Sequence, residues 1–436
     1  MKHTLLILWM CIGCGVAARA QLSLEACQTM ARNNYPLIKK YDLIRQSTDY
    51  TVNNLKKGWL PQVQATAQVT VQNRVAKLPD ALTGLMAHSG YDFKGLSKEQ
   101  YRVQLDVSQT LWDGGRIRRR GDAARLQGAV EEAQTDVSLY EVRRRVNDLF
   151  FGLLLIDEKI ELNNDLLVLL QSNEDKLAAM LRRGVVMQSD VDRLKAERLN
   201  AVQTGIELAS ARRSMCAMLA GFCGITAVDA LVKPRFEEVN DDWANARPEL
   251  RLIETRLRMT DAQERLLKSD LMPGVSVFAQ GYYGYPGYDM FKDMLERKMS
   301  FNGLVGARLT WNIGSLYTHK NNLKKLAVQR SEAENARELF LFNSRMDEMR
   351  QRETMVSRRK VMQTDDEIVA LRASVRQAAE AKLTHGIIDT DHLLQEITRE
   401  NTARIMRSTH EIELLQSIYE IKYILGKSPI VTIENK

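Results

Sequence analysis

The side chains best suited to chemistry gather in one short stretch, His385, Asp389, Asp391 and His392. Two imidazoles and two carboxylates could ligate a metal or work as an acid–base pair. The pattern argues against both. The sequence has no HExxH run and no GxSxG elbow, and with only six histidines in 436 residues little else could complete a cluster. The expectation is a protein that is not an enzyme and needs no cofactor or metal. Cys27, Cys216 and Cys223 form an odd set without CxxC spacing. They read as small buried residues rather than as a disulfide framework or a zinc site. Arg116, Arg118, Arg119 and Arg120 form a basic cluster just past a strand. No aromatic stacking platform accompanies it, so nucleic-acid binding is not expected; lipid headgroups, or a joint between strand and helix, would suit it better.

Turns and long helices must position the acidic stretch. Arg182-Arg183-Gly184-Val185-Val186-Met187-Gln188-Ser189-Asp190 and Leu383-Thr384-His385-Gly386-Ile387-Ile388-Asp389-Thr390-Asp391 each read as helix, turn, helix. Gly184 and Gly386 suit the left-handed position that ends a helix, and Ser189 or Thr390 can cap the next one. Asp389 and Asp391 would also favour the dipole of that helix by about 0.3–1 kcal/mol each. Ahead of the first turn, Val142, Val146, Leu149, Leu153, Ile156, Ile160, Leu167, Leu170, Leu177 and Leu181 follow a heptad seam broken only by Asn163 and Glu174. An uninterrupted helix from Arg116 to Arg182 would measure on the order of 100 Å. The matching stretch with Ile368, Leu371, Val375 and Ala378 has a weaker seam, and its return helix ends with Leu414, Ile418, Ile421 and Leu425.

Strands show a different period. Val63, Ala65, Ala67, Val69 and Val71 alternate with Gln62, Gln64, Thr66, Gln68, Thr70 and Gln72. Tyr101, Val103, Leu105 and Val107 alternate with Arg102, Gln104, Asp106 and Ser108, and Val305, Ala307, Leu309 and Trp311 with Gly306, Arg308, Thr310 and Asn312. The third strand, Val275 to Tyr283, is the least regular, and Tyr282, Tyr283, Tyr285 and Tyr288 at its outer end suit an aromatic girdle or a surface loop. At about 3.3 Å per residue such segments cross an outer membrane even when tilted. A soluble β-sandwich would show the same alternation, but its polar face would not need so much Gln, Arg and Asp. Four strands cannot close a barrel, and open edges in lipid leave backbone groups unpaired. Closure would take two, three or four chains, giving eight, twelve or sixteen strands.

The N-terminus argues for export. An apolar run from Leu5 to Val16 follows Lys2 and precedes Ala18-Arg19-Ala20, the pattern of a signal peptide cleaved before Gln21. Cys14 after Ile12-Gly13 offers a competing lipoprotein reading, with Cys11 where a Leu is expected. A hydrophobic fraction of 44% and a mean hydropathy of -0.31 exclude a polytopic helical membrane protein. The net charge of +7 is interleaved with acids along helices and reads as a solvated surface.

Landmarks recur about every 200 residues. Leu60-Pro61-Gln62-Val63 answers Met272-Pro273-Gly274-Val275, Leu111-Trp112-Asp113-Gly114-Gly115 answers Trp311-Asn312-Ile313-Gly314-Ser315, and the Gly184 turn answers the Gly386 turn. The expected organisation is a signal peptide (1–20), a first repeat (21–230) with strands near 62–74 and 100–112 and a tip turn near 183–189, and a linker (231–246). A second repeat (247–428) follows, with strands near 274–284 and 301–313 and a tip near 384–390, and then a tail (429–436).

Taken together, these residues resemble the TolC-type outer membrane efflux protein family from about Leu22 to Gly426. Leu22-Ser23-Leu24-Glu25-Ala26, with Ala31 and Asn33-Asn34-Tyr35-Pro36, looks like the family's opening helix, and Arg247-Pro248-Glu249-Leu250 like the start of its second copy. Leu111-Trp112-Asp113-Gly114-Gly115-Arg116 resembles its strand-to-helix exit. The resemblance implies a mainly α protein with a transmembrane β-barrel part. Four strands per chain would join a twelve-stranded barrel in a homotrimer, and antiparallel coiled coils would form an α-helical barrel in the periplasm. It also implies a passive outer-membrane exit duct for drugs, other small molecules or polypeptides, working with a periplasmic adaptor and an inner-membrane pump and embedded in outer-membrane lipid. The adaptor would meet the tip at Arg183, Gly184, Val185, Gly386 and Ile387. Asp391 best matches a gate acid and Asp190 its counterpart, with Asp389 a possible second acid, because Leu394 and Arg193 stand where further acids are expected. Pro61, Gly114, Gly115, Arg116, Pro273 and Gly314 would form the barrel–tunnel junction. The competing reading is an exported periplasmic coiled-coil scaffold.

Overall fold

The computed structural model describes residues 22–236 and 244–427. The expected signal peptide, the Cys14 reading, part of the linker and the C-terminal tail lie outside them. Residues 41–133 and 252–336 form one compact unit, and the other described residues form a second.

The first unit is built on an antiparallel sheet of β1 (Gln62–Val71), β2 (Glu99–Trp112), β3 (Gly274–Tyr285) and β4 (Ser300–Thr310), in that order. Register places Val63 beside Val107, Val107 beside Ala279 and Ala279 beside Val305. The odd-numbered apolar residues of all four strands therefore share one face. That face is open: Val63, Val69, Val103, Phe301, Val305 and Leu309 are all more than half exposed. The irregular pattern of β3 comes from Phe278 and Tyr282, which fall on the opposite face. There the Arg308 guanidinium stands 4.6 Å from the Phe278 ring centre and that of Arg102 4.3 Å from the Tyr282 ring. Gly306, paired with Phe278, is small for a reason, since a Cβ there would meet the ring at 2.9 Å.

The loops at one end of the sheet pack together. Leu96, Tyr285 and Met294 form a small core, with Met294 on α7 (Met290–Glu296). The Tyr285 hydroxyl accepts the Ser97 N–H at 2.8 Å and donates to the Asp293 carbonyl at 3.3 Å. α3 (Asp80–His88) lies in the β1–β2 connection. Of the four tyrosines read as a girdle or a surface loop, Tyr282 and Tyr285 are buried, while Tyr283 and Tyr288 are exposed. α2 (Lys40–Lys56) and α6 (Pro248–Ser269) lead into β1 and β3.

Two helical hairpins dominate the second unit, α4 (Arg116–Arg182) with α5 (Gln188–Cys223), and α8 (Ser315–Thr384) with α9 (Thr390–Ile424). The first residues of α4 and α8 belong to the strand unit. One core joins Val146, Phe150 and Leu153 of α4, Leu219 of α5 and Leu415 and Ile418 of α9 to α1 (Leu24–Asn34), whose buried face is Leu24, Cys27 and Ala31. A second core joins Leu170 and Leu177 to Leu194, Ala379, Leu383, Leu393 and Ile397. The two polar breaks in the α4 seam both turn toward α5. Asn163 donates to the Ala201 carbonyl at 3.0 Å, and Glu174 accepts from Arg198 at 2.6 Å. The α8 stripe behaves otherwise: Ile368, Leu371, Val375 and Ala378 are exposed, and Asp365, Ala379 and Leu383 point inward. The inward side of α8 is instead bound by ions. Glu396 and Glu400 of α9 are 3% exposed, and Arg376 pairs with Glu400 and, at 2.6 Å, with Glu380.

Candidate functional site

At the first tip, the chain leaves α4 through Gly184 at φ +75°. The Gly184 N–H donates to the Leu181 carbonyl at 2.9 Å and the Val185 N–H to that of Met180 at 3.1 Å. At the second tip Gly386 sits at φ +67°, its N–H donating to Leu383 and that of Ile387 to Lys382, each at 2.9 Å. After each glycine come two branched apolar residues. Val185 and Ile387 are 57% and 70% exposed, while Val186 and Ile388 pack on the second helical core. Arg183 also faces solvent. The tip thus presents paired apolar side chains outward, with Arg183 beside them.

The acids at the tip do different things. The expected caps Ser189 and Thr390 do not take that place: the N-cap of α5 is Met187 and that of α9 is Asp389. Asp190 accepts the Met187 N–H at 3.0 Å, and Asp389 is the N-cap of α9, accepting the His392 N–H at 2.9 Å. Thr390 lies inside the helix and is buried. Asp391 caps nothing. It accepts from Gln395 at 3.3 Å and faces Arg193 at 3.8 Å, linking the N-terminal ends of α5 and α9. Arg193 is a residue that sequence reading missed as a partner: where a second acid was expected, the chain carries the cation that pairs with the first. The His385 ring lies 2.8 Å from the Ala381 carbonyl, and His392 contributes its backbone N–H to the Asp389 carboxylate.

The strand-to-helix corners lie in the other unit. Gly114 and Gly115 have φ of +68° and +85°. A Cβ on Gly114 would stand 2.3 Å from the Met272 Cβ, whereas none of the neighbours would crowd one on Gly115. The glycine pair frees Asp113 to cap α4: its carboxylate accepts the Gly115 and Ile117 N–H groups at 2.9 and 2.6 Å. Asp113 is 5% exposed, and an Asp just before Gly-Gly and a helix was its sequence signal. Arg116 faces Asp270 at 3.9 Å, beside Leu271-Met272-Pro273. The second corner is built differently. Gly314 is not left-handed, and the turn closes through the Ser315 hydroxyl, which donates to the Asn312 carbonyl at 2.6 Å. The Trp311 indole donates to the Leu271 carbonyl at 3.0 Å, so both corners converge on the turn before Pro273. Pro61 opens β1 with its side chain in solvent.

The apolar face of the sheet ends in aromatic residues on both sides. Tyr101, Tyr283 and Phe301 lie at one end and Trp112 and Trp311 at the other, all at least 39% exposed. Phe301 to Trp311 spans about 33 Å of strand, or about 25 Å along a membrane normal at a tilt near 40°.

The sequence model of the family described as outer membrane efflux protein matches residues 29–224. The fold is similar to that of the outer-membrane channel OprN at 16% identity and a TM-score of 0.68, over 93% of this chain and 90% of that one. It is similar to the CmeC outer membrane channel of Campylobacter jejuni at 12% identity and a TM-score of 0.66, covering 93% and 85%. The outer membrane protein VceC of Vibrio cholerae gives 12% identity and a TM-score of 0.66, covering 92% and 96%. At these identities the likeness is one of fold. No curated protein sequence matches the chain.

Proposed function

We propose, taking the outer membrane efflux protein match of residues 29–224 as the premise, that this chain is a passive exit duct in the outer membrane, its helices in the periplasm. The observation that carries the proposal is the sheet: four strands in register, one continuous apolar face bounded by aromatics, and outer edges on β1 and β4 unpaired among the described residues. Lipid suits that face, and unpaired backbone cannot remain in lipid. With an even number of antiparallel strands, β4 of one copy can meet β1 of the next in the same alternation, so identical chains can close a barrel. Three copies and twelve strands is the closure the family resemblance favours. The exposed Ile368, Leu371 and Val375 on α8 support burial against neighbouring copies.

The two helix tips serve as the contact for a periplasmic adaptor, through Arg183, Val185 and Ile387, and an inner-membrane pump supplies the energy. Asp391, held by Arg193, acts at the periplasmic entrance, while Asp190 and Asp389 fix the helix starts that frame it. Pro61, Gly114, Gly115, Arg116, Pro273 and Gly314 set the angle between strand and helix. The first and second halves work as two copies of one plan. The cargo is a small molecule such as a drug, or a polypeptide.

The test is fractionation followed by conductance. A heat-modifiable oligomer in the outer membrane with the mass of three chains, conducting ions in a planar bilayer, is expected. Recovery as a soluble periplasmic monomer would sink the proposal in favour of a coiled-coil scaffold.

A further inference from the structure

Cys27 and Cys223 are 196 positions apart and meet inside the helical unit. Cys27 lies on α1 and is fully buried, and Cys223, the last residue of α5, is 5% exposed. The Cys223 thiol donates to the Cys27 carbonyl oxygen at 3.6 Å. Their meeting is no accident of loose packing, because α1 is held in one register on either side of it. Leu22 bridges Leu231, its N–H donating to the Ala230 carbonyl at 3.0 Å. Asn34 donates to the Gly221 and Phe222 carbonyls at 3.1 Å, and Tyr35 stacks on Phe222 with ring centres 6.2 Å apart.

We propose that Cys27 and Cys223 join as a disulfide in the exported protein, tying the first helix of the chain to the end of α5. The proposal rests on the export that the proposed function requires, since disulfides persist in oxidising compartments. The oxidant is an exchangeable disulfide of the kind a periplasmic thiol oxidase carries. One cysteine, as thiolate, attacks a sulfur of that disulfide, breaks its S–S bond and forms a mixed disulfide. The second thiolate then attacks the first cysteine's sulfur and expels the remaining oxidant thiolate. The two cysteines together lose two protons and two electrons, and the oxidant becomes a dithiol. Both sulfurs are covered once α1 has docked, so the bond forms as α1 closes and is shielded from reductants afterwards. Cys216 is half-buried and stays a thiol.

Peptide mapping tests this on the full chain expressed with export. Envelope protein is alkylated without reductant, digested and weighed. The expected result is a Cys27–Cys223 linked peptide that disappears on reduction, an alkylated Cys216, and complete loss of the linked species in Cys27→Ser and in Cys223→Ser. Alkyl label on both Cys27 and Cys223 before reduction, or a Cys216–Cys223 linkage, would overturn the proposal with export intact. If the chain is absent from the envelope, the export reading fails, and the pair is then judged by refolding reduced chain against oxidised glutathione. Linkage there supports the geometry, and its absence overturns it.

Discussion

Asp389 and Asp391 are two positions apart and perform separate tasks. Asp389 satisfies a backbone N–H that α9 cannot otherwise pair, so Asp389→Ala should lower stability by about 1 kcal/mol. Asp391 and Arg193 are both more than half exposed, and water screens them, so Asp391→Ala should change stability by less than about 0.5 kcal/mol. Conductance should respond in the opposite order, rising for Asp391→Ala and unchanged for Asp389→Ala. Equal melting losses in the two variants, or a conductance change only in Asp389→Ala, would contradict this division. Glu420 supplies a pH-dependent case. Burial pushes its carboxyl above the ordinary range, with Asp148 and Asp347 adding to the rise and Arg144 opposing it. An acid whose folded pKa is raised weakens the fold as pH rises through its unfolded and folded values. Glu420→Gln should therefore melt at the same or a higher temperature than the parent at pH 7.5, and this relative gain should fade by pH 4. A gain that grows on acidification would refute it. Asp391 could be picked out in the sequence because it follows a turn motif. Arg193 could not be recognised as its partner, since the pair forms only when two distant helix starts come side by side.

Among the elements, the strands were legible where each face has one chemistry, as in β1 with its Val and Gln rows. β3 was not, because the cations that cover Phe278 and Tyr282 come from β4 and β2. The α4 seam could be read from spacing alone; the inward side of α8 could not, since ion pairs with α9 decide it rather than apolar periodicity. The glycine pair at the first corner shows how much an element depends on local geometry. Both positions are left-handed, which costs a side chain about 1–2 kcal/mol. Gly115→Ala should lose only that. Gly114→Ala also drives a Cβ into Met272 and should lose clearly more, lowering the yield of folded, membrane-inserted protein. Thermal midpoints of the two purified variants give the comparison, and a Gly114→Ala protein as stable as Gly115→Ala would refute the close approach.

At the scale of the whole molecule, the sheet is unfinished, with both edges unpaired among the described residues and a large apolar face in the open. A soluble protein rarely leaves such a patch uncovered, and here either lipid or a hidden protein core could cover it. Val305 separates the two. It is 82% exposed, near the middle of β4 and between the aromatic ends of the face. If lipid lies against it, an arginine there costs about 2–4 kcal/mol near the bilayer midplane. Val305→Arg should then reduce the heat-modifiable oligomer recovered from the outer membrane. Arg308, three positions along on the opposite face, contacts Phe278 and not the apolar surface. Arg308→Gln should insert and assemble like the parent, and change ion selectivity instead, because it removes one positive charge per chain from the side that would line the duct. Selectivity is read as the reversal potential in a salt gradient, and assembly as the heat-modifiable band. Normal assembly of Val305→Arg, or failed assembly of Arg308→Gln, would mean that the faces are assigned the wrong way round and that the sheet does not enclose a duct.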